Sequence, residues 1–184
     1  GNNTLFYPNC LNGTTPNYAD LIRYVRGEDI EGCRSRQTGN GTWKLGDIIY
    51  STPVTVSYDD YSMVYVAAND GMLHAFRLGL IKEVYSASRV VKLCQSRNDC
   101  SYEKLGREEW AFIPKDVMPY LRFQAEPDYS HMYVHDLKPF VVEYEDNDGH
   151  MKKVLIGGMR LGGGTENGNI NPPSDTDRKS TRLN

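Results

Sequence analysis

The stretch Leu45–Phe76, LGDIIYSTPVTVSYDDYSMVYVAANDGMLHAF, alternates runs of β-branched and aromatic residues with short polar breaks. Ile48–Ser57 leads into the polar tip Tyr58-Asp59-Asp60-Tyr61, which spells a hairpin, and Met63–Ala68 is the returning strand. Asn69-Asp70-Gly71 tolerates positive φ at little cost, so the chain reverses at once into a third strand, Met72–Phe76. The pattern predicts an antiparallel meander. In the second strand Val64, Val66 and Ala68 fall on one face, and Met63, Tyr65 and Ala67 on the other. Neither face is polar, so both need cover.

Residues 138–158 repeat the pattern. PFVVEYED from Pro139 answers PVTVSYDD from Pro53, and VLIGG from Val154 answers VYVAA from Val64; the later copy has a longer tip, Asp146-Asn147-Asp148-Gly149. A sheet apolar on both faces is covered in a sandwich, between helical layers, or by stacking small sheets around an axis as propeller blades do. Two copies of one unit favour the last. The expectation is that Val64–Ala68, Leu73–Phe76 and Val154–Gly158 are strands of two stacked blades, with Trp110 buried against the first.

The flanking pattern fills in the frame. Thr15–Val25 reads as a short helix with Pro16 near its start, an apolar stripe of Leu21, Ile22 and Val25, and Gly27 at its end. Arg34–Thr42 is a polar, glycine-rich loop leading to Trp43. After Phe76 comes an insertion, Arg77–Leu105, before Glu108–Ile113 closes the blade as its fourth strand. Insertions of this kind carry binding surfaces. Lys115–Tyr120 reads as one helical turn stopped by Pro119. The organisation is therefore a helix and lead-in loop over 1–42, about one and a half blades over 43–164, and a polar tail over 165–184, whose last residues, RKSTRLN, read as a translated sequencing adapter. A propeller needs ~4–8 blades, so the chain reads as a fragment of one.

Composition narrows the function classes. The 184 residues carry 21 basic and 24 acidic side chains, interspersed, for a net charge of −3, which gives no field for a phosphate backbone. No run of ~18 apolar residues offers a membrane span. The four cysteines form two local pairs, Cys10 with Cys33 and Cys94 with Cys100, without the doubled C-x-x-C spacing of a zinc site; disulfides of an exported protein and free thiols both fit. His131 and His135 stand four apart, but Met-Tyr-Val between them reads extended, which separates them by ~13 Å. Asp146-Asn147-Asp148-Gly149 opens like a calcium loop, yet its twelfth position is Gly157, so a polar hairpin tip explains it. There is no G-x-S-x-G elbow, H-E-x-x-H helix or phosphate loop, and the glycine-rich Leu161–Asn171 has no helix after it. Arg23 and Arg26 read as solvated or salt-bridged helix residues, and Asp47, Asp70 and Glu109 as turn and strand-end acids.

An ordered set of segments carries a resemblance. Tyr24-Val-Arg-Gly-Glu-Asp, Trp43-Lys-Leu-Gly-Asp-Ile-Ile-Tyr-Ser-Thr-Pro-Val, Ala68-Asn-Asp-Gly-Met-Leu-His-Ala-Phe, Glu109-Trp-Ala-Phe-Ile-Pro and His131-Met-Tyr-Val-His-Asp together resemble the C-terminal propeller of the PilC/PilY family, tip-associated adhesins and assembly factors of type IV pili. The likeness runs from about residue 20 to 164. Its structural motif falls on Gly46, Asp47, Pro53, Asn69, Asp70, Gly71, His74 and Trp110. It implies an all-β, partial β-propeller with quinoprotein-like blades, acting without catalysis in pilus assembly and adhesion at the pilus tip or outer membrane surface. The implied partners are pilin or minor pilins and host or surface receptors. Calcium is implied only for parts of the propeller that no residue here matches, and no cofactor is assigned to this chain. The alternative is a propeller piece of a quinoprotein (PQQ-type) dehydrogenase, although such a site typically uses a vicinal cysteine pair, and this chain has no Cys-Cys.

Overall fold

A computed structural model describes residues 10, 18–85, 89–159 and 164–165, with the side chains of 84–89 and 164–165 set aside. The start of the expected first helix, most of the glycine-rich 161–171 run and the adapter-like tail lie outside the described residues.

Helix α1 (Tyr18–Val25) is followed by a two-residue ribbon, β1 (Gln37–Thr38) with β2 (Gly41–Thr42). The main sheet is antiparallel. β3 (Val54–Ser57) pairs β4 (Ser62–Ala67), β4 pairs β5 (Leu73–Tyr85), and the first half of β5 takes β7 (Glu108–Phe112) on its other edge. These strands form a four-stranded meander, with the fourth strand arriving after the insertion. Its other regular elements are a 3-10 helix (Lys115–Ala125), β8 (Met132–Tyr133) pairing β11 (Gly164–Thr165), and a separate hairpin of β9 (Phe140–Glu145) and β10 (Met151–Ile156). No sheet closes into a barrel among the described residues.

Several segments differ from the sequence reading. Of Ile48–Ser57 only Val54–Ser57 is strand, and Ile48, Ile49 and Tyr50 are exposed. Pro53 has no N–H for a ladder, and side chains take over the pairing. The Tyr50 N–H donates to Asp136 Oδ1 at 2.9 Å, and Ser51 Oγ accepts from the Ala67 N–H at 3.1 Å. The third strand is far longer than Met72–Phe76, because its continuation pairs β6 (Arg89–Cys94) as a hairpin. Gly79 permits the bend at the junction, with φ +79° and a position where a Cβ would meet the Cys94 carbonyl oxygen at 2.3 Å. In α1 the buried residue is Tyr24, whose hydroxyl donates to the Gln124 carbonyl at 3.0 Å, while Ile22 is exposed. The 3-10 helix runs through Pro119 instead of stopping there; Val117, Tyr120, Leu121 and Ala125 bury one side of it, and that packing outweighs one lost N–H bond. The last paired strand spans Met151–Ile156, so Gly157 and Gly158 lie beyond it.

The cover on the main sheet is uneven. One face, with Val54, Val56, Met63, Tyr65 and Ala75, packs against Val141 and Leu155 of the second hairpin, so the two repeat units stack. The other, with His74 and Phe76, faces α1 and the lead-in segment across an open groove. Trp110 corrects the expectation of burial. It lies 5.7 Å from the Tyr65 ring but is 42% exposed, because β7 lies at the sheet edge and one side of the indole is left uncovered.

Candidate functional site

The Asn69-Asp70-Gly71 turn is the junction on which the resemblance motif converges. Only Gly71 uses positive φ, at +88°, and it fits tightly there, since a Cβ would meet Val117 Cγ1 at 2.5 Å. Asp70 accepts the Gly46 N–H through Oδ2 at 2.7 Å and the Met72 N–H through Oδ1 at 3.0 Å. His74 places Nε2 at 3.0 Å from Asp70 Oδ2 and Nδ1 at 2.5 Å from Glu108 Oε1. One imidazole thereby ties turn, third strand, fourth strand and lead-in loop. Burial opposes its charge, but hydrogen bonds and charge from Asp70, then Glu108, outweigh that and hold its pKa above the ordinary value. Gly46 admits no side chain, because a Cβ would lie 2.4 Å from the Asp70 backbone nitrogen. Asn69 receives the Val134 N–H at 3.1 Å on its side-chain oxygen. Asp47 faces His131 Nε2 at 3.4 Å. The motif residues other than Pro53 and Trp110 thus share one polar junction whose side chains are engaged with the fold itself.

His131 and His135 flank β8, with His135 at a bend after the strand. His135 is 1% exposed with neither ring nitrogen hydrogen-bonded, and burial, first, lowers its pKa. The tip at Asp146 is a self-contained turn: Asp146 Oδ1 accepts from the Asp148 and His150 N–H groups at 3.0 and 2.9 Å. Its carboxyl, with Asp148 and His150, could approach a cation, but Lys152 Nζ already lies 3.4 Å from Asp146 Oδ2.

The insertion is an ordered projection. Arg77 and Arg107 close its base, with the Arg77 N–H donating to the Arg107 carbonyl at 2.9 Å and the Gly106 N–H to the Arg77 carbonyl at 2.8 Å. Cys94–Cys100 is disulfide-bonded, as is Cys10–Cys33 near α1. Arg97 docks on the β3–β4 tip, its Nη2 donating to the Asp59 carbonyl at 2.6 Å. Beyond Gly79 the hairpin presents Ile81, Val91 and Leu93 to solvent. The sequence reading placed an insertion here and missed its strands, although Leu80-Ile81 and Val90-Val91 carried the signal.

Two hollows flank the junction. One, of about 380 Å3, is bounded by Arg34, Arg36, Trp43, Lys44 and Tyr129; the other, an apolar groove of about 910 Å3, lies between α1 and the sheet face of His74 and Phe76. No helix among the described residues is long and apolar enough to cross a membrane.

Two curated proteins of Xylella fastidiosa, each named Type IV pilus biogenesis factor PilY1 homolog, are similar to this chain. The first is 29% identical over 186 aligned positions, covering 81% of this chain and 10% of the relative. The second is 30% identical over 177 positions, covering 79% of this chain and 12% of the relative. The chain spans about a tenth of the length of the curated relatives it matches. No family model matches the chain, and no solved structure does.

Proposed function

We propose that this chain, which belongs to the PilC/PilY family as a PilY1-like segment, supplies one complete blade and the first hairpin of the next in a surface-exposed β-propeller of a type IV pilus biogenesis factor. The observation that carries the reading is the stacking of two equivalent hairpins, β3–β4 and β9–β10, through Val56 and Met63 against Val141 and Leu155. Repeated small sheets stacked face to face are how propellers are assembled. The junction around Asp70 has its polar atoms engaged within the fold, which favours a scaffold over a catalytic centre, and we assign no enzymatic activity and no cofactor to this segment. Partner contact falls to the β5–β6 projection: it leaves and rejoins the blade at one point, so its surface can vary without disturbing the strands that pair around it. Its location would be the pilus or outer cell surface, and its partners pilins and surface receptors.

The test is to replace residues 80–104 by a two-residue Asn-Gly turn in the full-length protein, so that β5 re-enters β7 directly. The expected result is a folded, exported protein with reduced pilus display or attachment. Unchanged display and attachment would remove the projection from the partner surface. Dye-linked turnover of an alcohol by the propeller with added quinone cofactor, lost when the quinone is withdrawn, would replace this reading with the dehydrogenase.

A further inference from the structure

We infer that the hollow bounded by Arg34, Trp43, Lys44 and Tyr129 is a binding site for a carboxylate-bearing sugar. The site goes beyond the pilus-assembly reading and stands on its own geometry. Its volume, about 380 Å3, is at the small end of ligand sites and suits a single ring.

The charge balance selects an anion. The Arg34 guanidinium lies 3.9 Å over the Tyr129 ring, and neither it nor Lys44 has a carboxylate within ion-pair distance among the described residues. Arg36 is built into the wall, 3.9 Å over the Tyr24 ring, with Nη2 donating to the Tyr24 carbonyl at 2.6 Å; its Nε is buried without an acceptor. Against these three cations stand Asp47, which faces His131, Asp70, which is engaged with His74, Gly46 and Met72, and, behind the wall, Asp29, which accepts from the Ser35 hydroxyl and the Arg36 N–H. Arg34 and Lys44 are left as the cations that no carboxylate answers among the described residues.

The aromatic groups select a ring over a bare ion. Trp43 is 69% exposed at the rim, although its backbone is fixed by an N–H bond to the Arg36 carbonyl at 2.8 Å. An indole held open beside cationic donors offers a flat apolar platform for the C–H face of a sugar while Arg34 and Lys44 meet its carboxylate. Ser35, Gln37 and Thr38 line the same hollow with their side chains bonded to Asp29, Thr42 and the Gly41 carbonyl, so the ligand's carboxylate and ring face carry the recognition. A phosphate cradle would instead use backbone N–H groups at a helix start, and none borders this hollow.

Calorimetric titration of the full chain with sodium glucuronate, glucose and sodium sulfate tests the assignment. Glucuronate is expected to bind saturably with Kd at or below about 1 mM, and glucose about tenfold more weakly. Arg34→Gln and Lys44→Gln, at positions that carry no core packing, are each expected to weaken glucuronate about tenfold with unchanged far-UV circular dichroism, and Trp43→Ala to weaken both sugars. A flat glucuronate titration through about 10 mM overturns the site. Sulfate that binds as tightly as glucuronate and displaces it overturns the sugar assignment, and so does undiminished affinity in folded Arg34→Gln and Trp43→Ala.

Discussion

Asp70→Asn isolates the junction, because the side chain keeps its shape and loses its charge and one acceptor. Asp70 serves the Gly46 N–H, the Met72 N–H and His74 Nε2 at once, with both oxygens in use. Asparagine offers a single oxygen, so one backbone N–H faces an NH2 group, and the buried imidazolium loses the more buried of its two counter-charges. Removing one partner of a buried pair costs about 3–5 kcal/mol; Glu108 still holds Nδ1, which places the loss near 3 kcal/mol, or a Tm lower by about 6–12 °C for a chain of this size. The pH dependence separates charge from packing. His74 has a folded pKa above 6.5, so its contribution is fully present below 6.5 and is lost as pH rises through the folded value. His135 has a folded pKa below 6.5, so its contribution is present above 6.5 and is lost as pH falls through the folded value. Thermal unfolding followed by circular dichroism between pH 5 and 9 should therefore give, from these two groups, a Tm maximum near 6.5. Asp70→Asn should flatten the alkaline limb and steepen the acid one, since Asp70 also supports protonation of His135. A Tm within about 2 °C of the parent, or an unaltered alkaline limb, would refute the account.

Gly46→Ala is expected to cost about 1–3 kcal/mol in urea unfolding, since its Cβ would meet backbone and not a flexible side-chain end. Leu155→Ala should cost about 1–2 kcal/mol, less than a fully buried leucine, with faster amide exchange concentrated in β9 and β10. Cys94→Ser paired with Cys100→Ser should cost about 2 kcal/mol for so short a loop and speed exchange over residues 95–104 while the main sheet stays protected. Trp110→Ala should cost about 1–2 kcal/mol, below the 3–5 kcal/mol of a buried indole, and acrylamide should reach it readily.

What the sequence made legible was whatever local pattern decides. The tip Tyr58–Tyr61 and the Asn69-Asp70-Gly71 turn marked the meander, and Glu108-Glu-Trp-Ala-Phe marked its fourth strand across a long insertion. Ile48–Tyr50 was misread because β propensity describes a half-buried pleat, and here Asp136 and Ser51, one of them 86 residues away, supply the bonds that a neighbouring strand would have made. Tyr24 was overlooked for a similar reason: its burial depends on a carbonyl at Gln124. The junction was visible only as separate turn and strand-end acids. Nothing in the spacing of Gly46, Asp70, His74 and Glu108 announces that one imidazole joins them, since the contact between His74 and Glu108 spans 34 positions.

The register of the two hairpins corrects the sequence alignment by one position. Val56 pairs Met63 and Val54 pairs Tyr65 in the first unit; Val142 pairs Val154 and Phe140 pairs Ile156 in the second, so with Pro139 answering Pro53 the counterpart of Val154 is Met63 and not Val64. In the first unit Val56, Met63 and Tyr65 are buried, and what buries them comes from the opposite face of the second unit, Val141 and Leu155. The equivalent face of the second unit is open, with Phe140 63% exposed and Val142, Val154 and Ile156 also exposed. An apolar face of this size on a paired hairpin is costly in water. A further unit offering its own counterparts of Val141 and Leu155 would cover it by the same contact, and repeating that step around an axis is the propeller geometry that the proposed function requires.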